Sequence, residues 1–202
     1  MNTSTPSQQQ LSTKTQLLVA SLLLFVMIVT RSHISAHLQD ASWAIFFLVG
    51  FYLRGSSLVR LGFPVFFLAA FVIDLIVIDA QGGTHYCFTP SYPFLIPAYA
   101  AMWFAGRWVA NRYQENMRGL ASFVGAALVG VAACFLISNA GFYFFAGKFE
   151  EMTVMQYTAS VAHYLPAYLK TTAIYLGSAA ILHLLIEHAT ELRAKLDDRA
   201  HS

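Results

Sequence analysis

The chain has 202 residues, 57% of them hydrophobic and only 11% charged, and its net charge is +2. Soluble domains carry about 25% charged residues, so this composition excludes a water-soluble globular domain, and the near-neutral balance argues against nucleic acid as a partner. Two cysteines are too few for the disulfide framework of a small secreted domain.

The expectation is an all-α integral membrane protein with one domain. Residues 1–13 are rich in Ser, Thr and Gln without apolar periodicity and read as a disordered tail ahead of a single membrane domain at 14–202. Lys14 and the run Leu17 to Thr30 resemble a signal peptide, but no small-residue cleavage site follows before Arg31. The run is therefore expected to be the first membrane helix. Apolar segments follow at roughly 16–32, 41–54, 61–80, 93–111, 119–146 and 164–187, and most approach the ~20 residues needed to cross the hydrocarbon. The second is short.

Charge supplies the orientation. Lys14, Arg54, Arg60, Arg107, Arg112, Arg118, Arg193, Lys195 and Arg199 fall on the side of the amino terminus. Arg31 and Lys148 fall on the other, and Lys170 lies inside the sixth segment. The positive-inside rule then puts both termini in the cytoplasm, with six transmembrane helices. The tail from Glu187 to Arg199 has both signs of charge at helical spacing, as in Glu191 and Lys195, and should prolong the last helix.

Chemistry is confined to the outer loops, 31–41, 81–92 and 147–163. They hold His33, His37, His85 and His163, together with Cys87. Gln81 to Pro90 reads Gln-Gly-Gly-Thr-His-Tyr-Cys-Phe-Thr-Pro, a permissive backbone that carries an imidazole, a thiol and two aromatic rings. A lone cysteine is usually inert, yet an unpaired thiol facing an oxidising compartment is a liability unless it is used. His85, if near and charged, would favour the thiolate, a soft ligand for a late transition metal. No CxxC or HExxH spacing marks a free metal site. His33 and His37 would share a face only if their loop is helical, and His163 reads as interfacial.

Within the apolar segments, Asp74 and Lys170 each lie six residues from an outer end. Their matched depth makes an ion pair plausible, either as a lock between two helices or as the polar floor of a ligand cavity. In segment five, Ser138-Asn139-Ala140-Gly141 is expected to interrupt the helix, ahead of an aromatic run from Phe142 to Phe145. That run suits either an interfacial belt or the walls of a planar ligand site.

Six spans with cytoplasmic termini, Ser138-Asn139, Tyr157 and Tyr164-Leu-Pro-x-Tyr-Leu-Lys-Thr-Thr resemble the S-components of energy-coupling-factor (ECF) vitamin transporters. The loop with Cys87, Pro90, Tyr92 and Pro93 is most similar to the cobalamin-specific BtuM type. The resemblance implies a bacterial cytoplasmic-membrane protein that takes up cobalamin (vitamin B12) or a related corrinoid. Cys87 would be an axial ligand to the cobalt already held in the corrin ring. His85, Tyr86, Phe88, Tyr92, Asn139, Tyr143 and Tyr164 would surround the ligand. It also implies an ECF coupling module, a transmembrane subunit with ATPases, as partner. Yet the first segment lacks the Ala-x-x-x-Ala docking face of many S-components, having only Ala20 and Ser21 among leucines, so action without the module stays open. A Cys87 thiolate entering the axial site would displace cyanide, a decyanation activity. The alternatives are a membrane thiol, redox or haem enzyme, or an S-component for another vitamin.

Overall fold

A computed structural model describes residues 12–32, 38–54, 58–80, 89–114 and 116–200, with backbone only at 58–59, 187 and 191–200. Every regular element among the described residues is helical. In chain order these are α1 (Thr13–Arg31), α2 (Ser42–Tyr52), α3 (Leu58–Ala80), a 3-10 turn (Tyr92–Phe94), α4 (Leu95–Ala110), α5 (Met117–Phe145), α6 (Val154–Ala162) and α7 (Leu165–Ala200). His33, His37, His85, Tyr86, Cys87 and Phe88 lie outside the described residues.

Four helices are long and apolar enough to cross a membrane: Thr13–Arg31, Arg60–Ala80, Met117–Phe145 and Leu165–Thr190 within α7. They correspond to segments one, three, five and six. Segments two and four form shorter helices, α2 with 11 residues and α4 with 16. At 1.5 Å per residue α2 is about 16 Å long, roughly half the hydrocarbon thickness.

The reason lies in packing. α2 touches α1, α3, α4, α5 and α7, so it has almost no free face. Ser42 and every residue from Ala44 to Gly50 are buried, which is what an all-round apolar helix requires. Phe46, Phe47, Ile45 and Val49 of α2 meet Met27 of α1, Tyr99 and Met102 of α4 and Cys134 of α5 in one core. The long helices turn apolar residues outward instead. Leu18 and Phe25 on α1, Leu68 and Ile76 on α3, Val129 and Leu136 on α5, and Leu184 and Leu185 on α7 are all exposed. An apolar shell of this extent is a hazard in water and the normal condition in lipid. The chain is a membrane protein.

α2 and α4 cross at two glycines. A Cβ on Gly50 would overlap the Trp103 carbonyl oxygen, and one on Gly106 would overlap the Phe47 carbonyl oxygen. Each backbone thus rests against the other, an approach only glycine permits.

Three expectations change. α5 is unbroken from Met117 to Phe145. Ser138 Oγ and Asn139 Nδ2 both donate to the Phe135 carbonyl, 3.2 and 2.8 Å away, so these polar side chains fold back onto their own helix. Gly141 makes room for Phe94 rather than breaking α5. The loop expected at 147–163 contains α6, which starts at a reciprocal cap: Thr153 Oγ1 accepts from Gln156 N, and Gln156 Oε1 accepts from Thr153 N. The third change concerns the partner of Asp74. By contrast, α7 does run on to Ala200, so the tail prolongs the last helix.

Candidate functional site at the Asp74 end of the bundle

α1 ends at Arg31, where Ser32 caps the helix. The guanidinium turns inward and is 8% exposed. Its Nε donates to Asp74 Oδ1 and its Nη2 to Asp74 Oδ2, both at 2.7 Å. Two parallel bonds between a fork and a carboxylate are the strongest geometry such a pair has. Nη1 faces three acceptors: Asp40 Oδ2 at 3.1 Å, Ser42 Oγ at 2.8 Å and Tyr99 Oη at 3.0 Å. Asp40 in turn accepts from Ser42 N at 3.0 Å and from Ser42 Oγ at 2.6 Å, through Oδ1. Tyr92 Oη donates to Asp74 Oδ2 at 2.9 Å.

One cation and two carboxylates therefore join α1, the 38–41 connection, α2, α3, the 3-10 turn and α4. Asp74 does not pair with Lys170, which is exposed on α7 and in no ion pair among the described residues. Matched depth was a sound criterion, but Arg31 meets it from the end of a neighbouring helix and presents a planar fork that lysine lacks. Burial first, and the Asp74 carboxylate beside it, push the Tyr92 phenol above its ordinary range. Tyr92 accordingly remains a donor.

The same end carries further contacts. The 38–41 connection is held on α7: Tyr175 Oη donates to the Gln39 carbonyl at 2.7 Å, and the Thr171 hydroxyl bonds the Gln39 side chain. Trp43 stacks on Tyr168, with centroids 4.4 Å apart. Where α5 meets α6, Tyr157 Oη donates to Asn139 Oδ1 at 3.2 Å, and Tyr143 Oη donates to the Met152 carbonyl at 2.7 Å. The Tyr143 and Tyr157 rings lie 4.9 Å apart, with Phe149 packed against Tyr157 at 4.8 Å.

Tyr92, Asn139, Tyr143 and Tyr164 are the expected site residues within the described part. Tyr92 is buried, with its hydroxyl on Asp74. Asn139 and Tyr143 are half-buried and bonded to α5, α6 and the connection between them. Tyr164 is exposed in the turn between α6 and α7, its ring 3.8 Å from that of His163. Cys134 is buried in the core beside α4. Among the described residues no group of His, Cys, Asp or Glu could hold a free metal ion.

Arg31, Asp40, Ser42 and Tyr99 are the residues that sequence reasoning missed. The available signal was Arg31 itself, a cation ending one apolar run while Asp74 sat within another. The chain matches no protein-family model, and a search of curated proteins finds no significant match.

Proposed function

We propose that this chain captures cobalamin or a related corrinoid and carries it across the bacterial cytoplasmic membrane, in the manner of an S-component. In this reading α1, α2, α3, α4, α5 and α7 each cross, with α2 and α4 as a short central pair. Both termini are cytoplasmic, because nine of the twelve lysines and arginines then face that side. The Asp74 end faces outward and receives the ligand.

The observation that carries the reading is the way Asp74 and Tyr92 bracket the Cys87 stretch. Asp74 precedes residues 81–88 on α3, Tyr92 follows them, and a single hydrogen bond joins the two. A segment anchored at both ends has less conformational freedom to lose when it closes over a ligand. Arg31 and Asp40 bracket residues 33–37 in the same way. Cys87 would supply the thiolate to cobalt, with His85, Tyr86 and Phe88 beside it. A Cys87 thiolate that entered the axial position of cyanocobalamin would displace cyanide, which would leave as the cyanide anion. The bonded state of Tyr92, Asn139 and Tyr143 suits them to fixing the walls of the site. Their polar atoms are committed to protein, so the amide arms of the corrinoid would draw on the stretches near Cys87. The coupling module stays an optional partner, given the first helix's missing Ala-x-x-x-Ala face.

The test is purification from cells supplied with cobalamin. A red preparation with about one cobalt per chain is expected, together with growth of a cobalamin-dependent, uptake-deficient strain that expresses the protein. Cys87→Ala should abolish the spectral shift of bound cyanocobalamin. Absence of both cobalt and rescue overturns the proposal, and a haem Soret band in its place moves the chain to the enzyme class.

A further inference from the structure

At the opposite end of the bundle, α4 and α5 enclose a groove of about 590 Å³ that opens sideways from the helix pair. Ala101, Ala105, Gly125, Ala126, Gly130 and Ala133 form its floor, while Phe104 and Trp108 stand on one rim. These small residues leave a trough between the two helices, with Val129 also in the lining and the exposed Leu128 next to it in sequence. Apolar atoms supply nearly all of the lining.

Two cations lie near the Trp108 and Ser122 end of the lining. Arg118 precedes the lining residue Ser122 by four positions and so continues a groove-facing row of α5, while Arg112 lies in the turn two residues past the end of α4. The Arg112 guanidinium lies 4.8 Å from the centre of the Trp108 ring, and Nη1 donates to the Trp108 carbonyl. Both arginines are exposed, and neither is in an ion pair among the described residues. Neither α4 nor α5 contains an acidic residue. Glu115, in the connection between them, lies outside the described residues. Arg107, the single cation of α4, is turned onto Trp103 instead, 5.3 Å from that ring.

We infer that this groove is a binding site for an anionic phospholipid. An acyl chain lies along the alanine and glycine floor, and the phosphate sits between Arg112 and Arg118, with Trp108 at the level of the headgroup. An apolar slot that ends in two like charges, in no ion pair among the described residues, fits a molecule with a long hydrocarbon and one anion at its end. A partner helix would fill the trough and leave both guanidiniums unneutralised unless it also carried an acid at that depth. Basic pockets between membrane helices are recognised lipid-headgroup sites. The inference does not rest on corrinoid capture, since it uses no residue of the Asp74 end.

The experiment is native mass spectrometry of the full chain in detergent, titrated with phosphatidylglycerol and, separately, with phosphatidylcholine of the same acyl chains. Two arginines at about 1 kcal/mol each predict retention of the anionic lipid on the order of thirty-fold over the neutral one. Arg112→Gln with Arg118→Gln should bring that ratio close to one. Gly125→Leu should block both lipids. A Cβ at Gly125 has open space around it, so the variant fills the groove without touching the core. Ser122→Leu repeats the block from another lining position. Equal retention of the two lipids by the native chain overturns the inference, as does an anionic preference that survives in the double arginine variant. A native dimer that Gly125→Leu dissociates would assign the groove to a second copy and overturn it as well.

Discussion

The two ends of this bundle handle charge in opposite ways. At the Asp74 end, Arg31 is buried and every nitrogen of its guanidinium is bonded, to Asp74, Asp40, Ser42 or Tyr99. At the Arg112 end, Arg112 and Arg118 are exposed and in no ion pair among the described residues. The difference teaches where each charge is neutralised. A buried guanidinium must find its acceptors within the chain, because removal from water costs several kcal/mol. A guanidinium at the bilayer edge keeps its water and finds its anion in the surroundings. One end is therefore a clamp, and the other leaves its cations open to the surroundings.

That contrast can be broken most severely at Arg31. Arg31→Met strands Asp74 and Asp40 without their cation, and breaking a buried pair in this way costs about 3–5 kcal/mol. Thermal unfolding in detergent should show the loss. The paired variant Arg31→Met with Asp74→Leu should recover much of it, since the more buried of the two stranded carboxylates is gone and Asp40, the more exposed one, keeps contact with water. If the double variant is as unstable as the sum of the two single ones, Arg31 and Asp74 do not act as a pair.

Next comes the crossing that joins the two ends. Gly106→Ala drives a methyl group into the Phe47 carbonyl, and overpacking of this kind costs about 1–3 kcal/mol. Gly177→Ala meets nothing within 4 Å and should be neutral or slightly stabilising, so the two alanines in one unfolding assay separate close approach from glycine content.

A smaller effect is expected from Tyr92→Phe, which removes one hydroxyl from Asp74 while the Arg31 fork stays in place. The loss should be about 1 kcal/mol. Its second readout is functional. If the Asp74–Tyr92 bond helps to fix the Cys87 stretch, corrinoid affinity should fall by more than the stability does, and unchanged affinity would reduce Tyr92 to a packing residue.

The smallest change belongs to Arg112→Gln, which should shift stability in neutral detergent by no more than about 0.5 kcal/mol, as a surface substitution does. A loss comparable to that of Arg31→Met would mean that the two ends are not different in kind.

Much of the helical frame was legible. Apolar runs bounded by charge foretold α1, α3, α5 and α7, because a membrane helix announces itself by length and composition without reference to its neighbours. The charge pattern at Glu191 and Lys195 likewise led to a last helix that continues to Ala200. α6 was not expected although Thr153-x-x-Gln156 is a cap signature, because a helix of nine residues is far shorter than a membrane span and leaves no long apolar run in the sequence. Ser138 to Gly141 misled in the other direction. Polar and glycine residues in a helix predict a break only when their partners lie elsewhere, and here the Phe135 carbonyl and the Phe94 ring supply them. At the candidate site, Asp74 was recognised and its partner was not. Spacing gives depth along a helix, but it does not give the direction in which a neighbour's side chain reaches.

The amino-acid sequence by itself determined the solvent this protein lives in, since so apolar a chain has no stable place in water, and it determined where most helices begin and end. Tertiary structure decided which helices meet lipid and which form the core. An apolar segment looks the same in either place, and only its neighbours make α2 central and α3 peripheral. Tertiary structure also decided that Arg31 rather than Lys170 answers Asp74, because an ion pair depends on the rotation of two helices about their axes as well as on their depth.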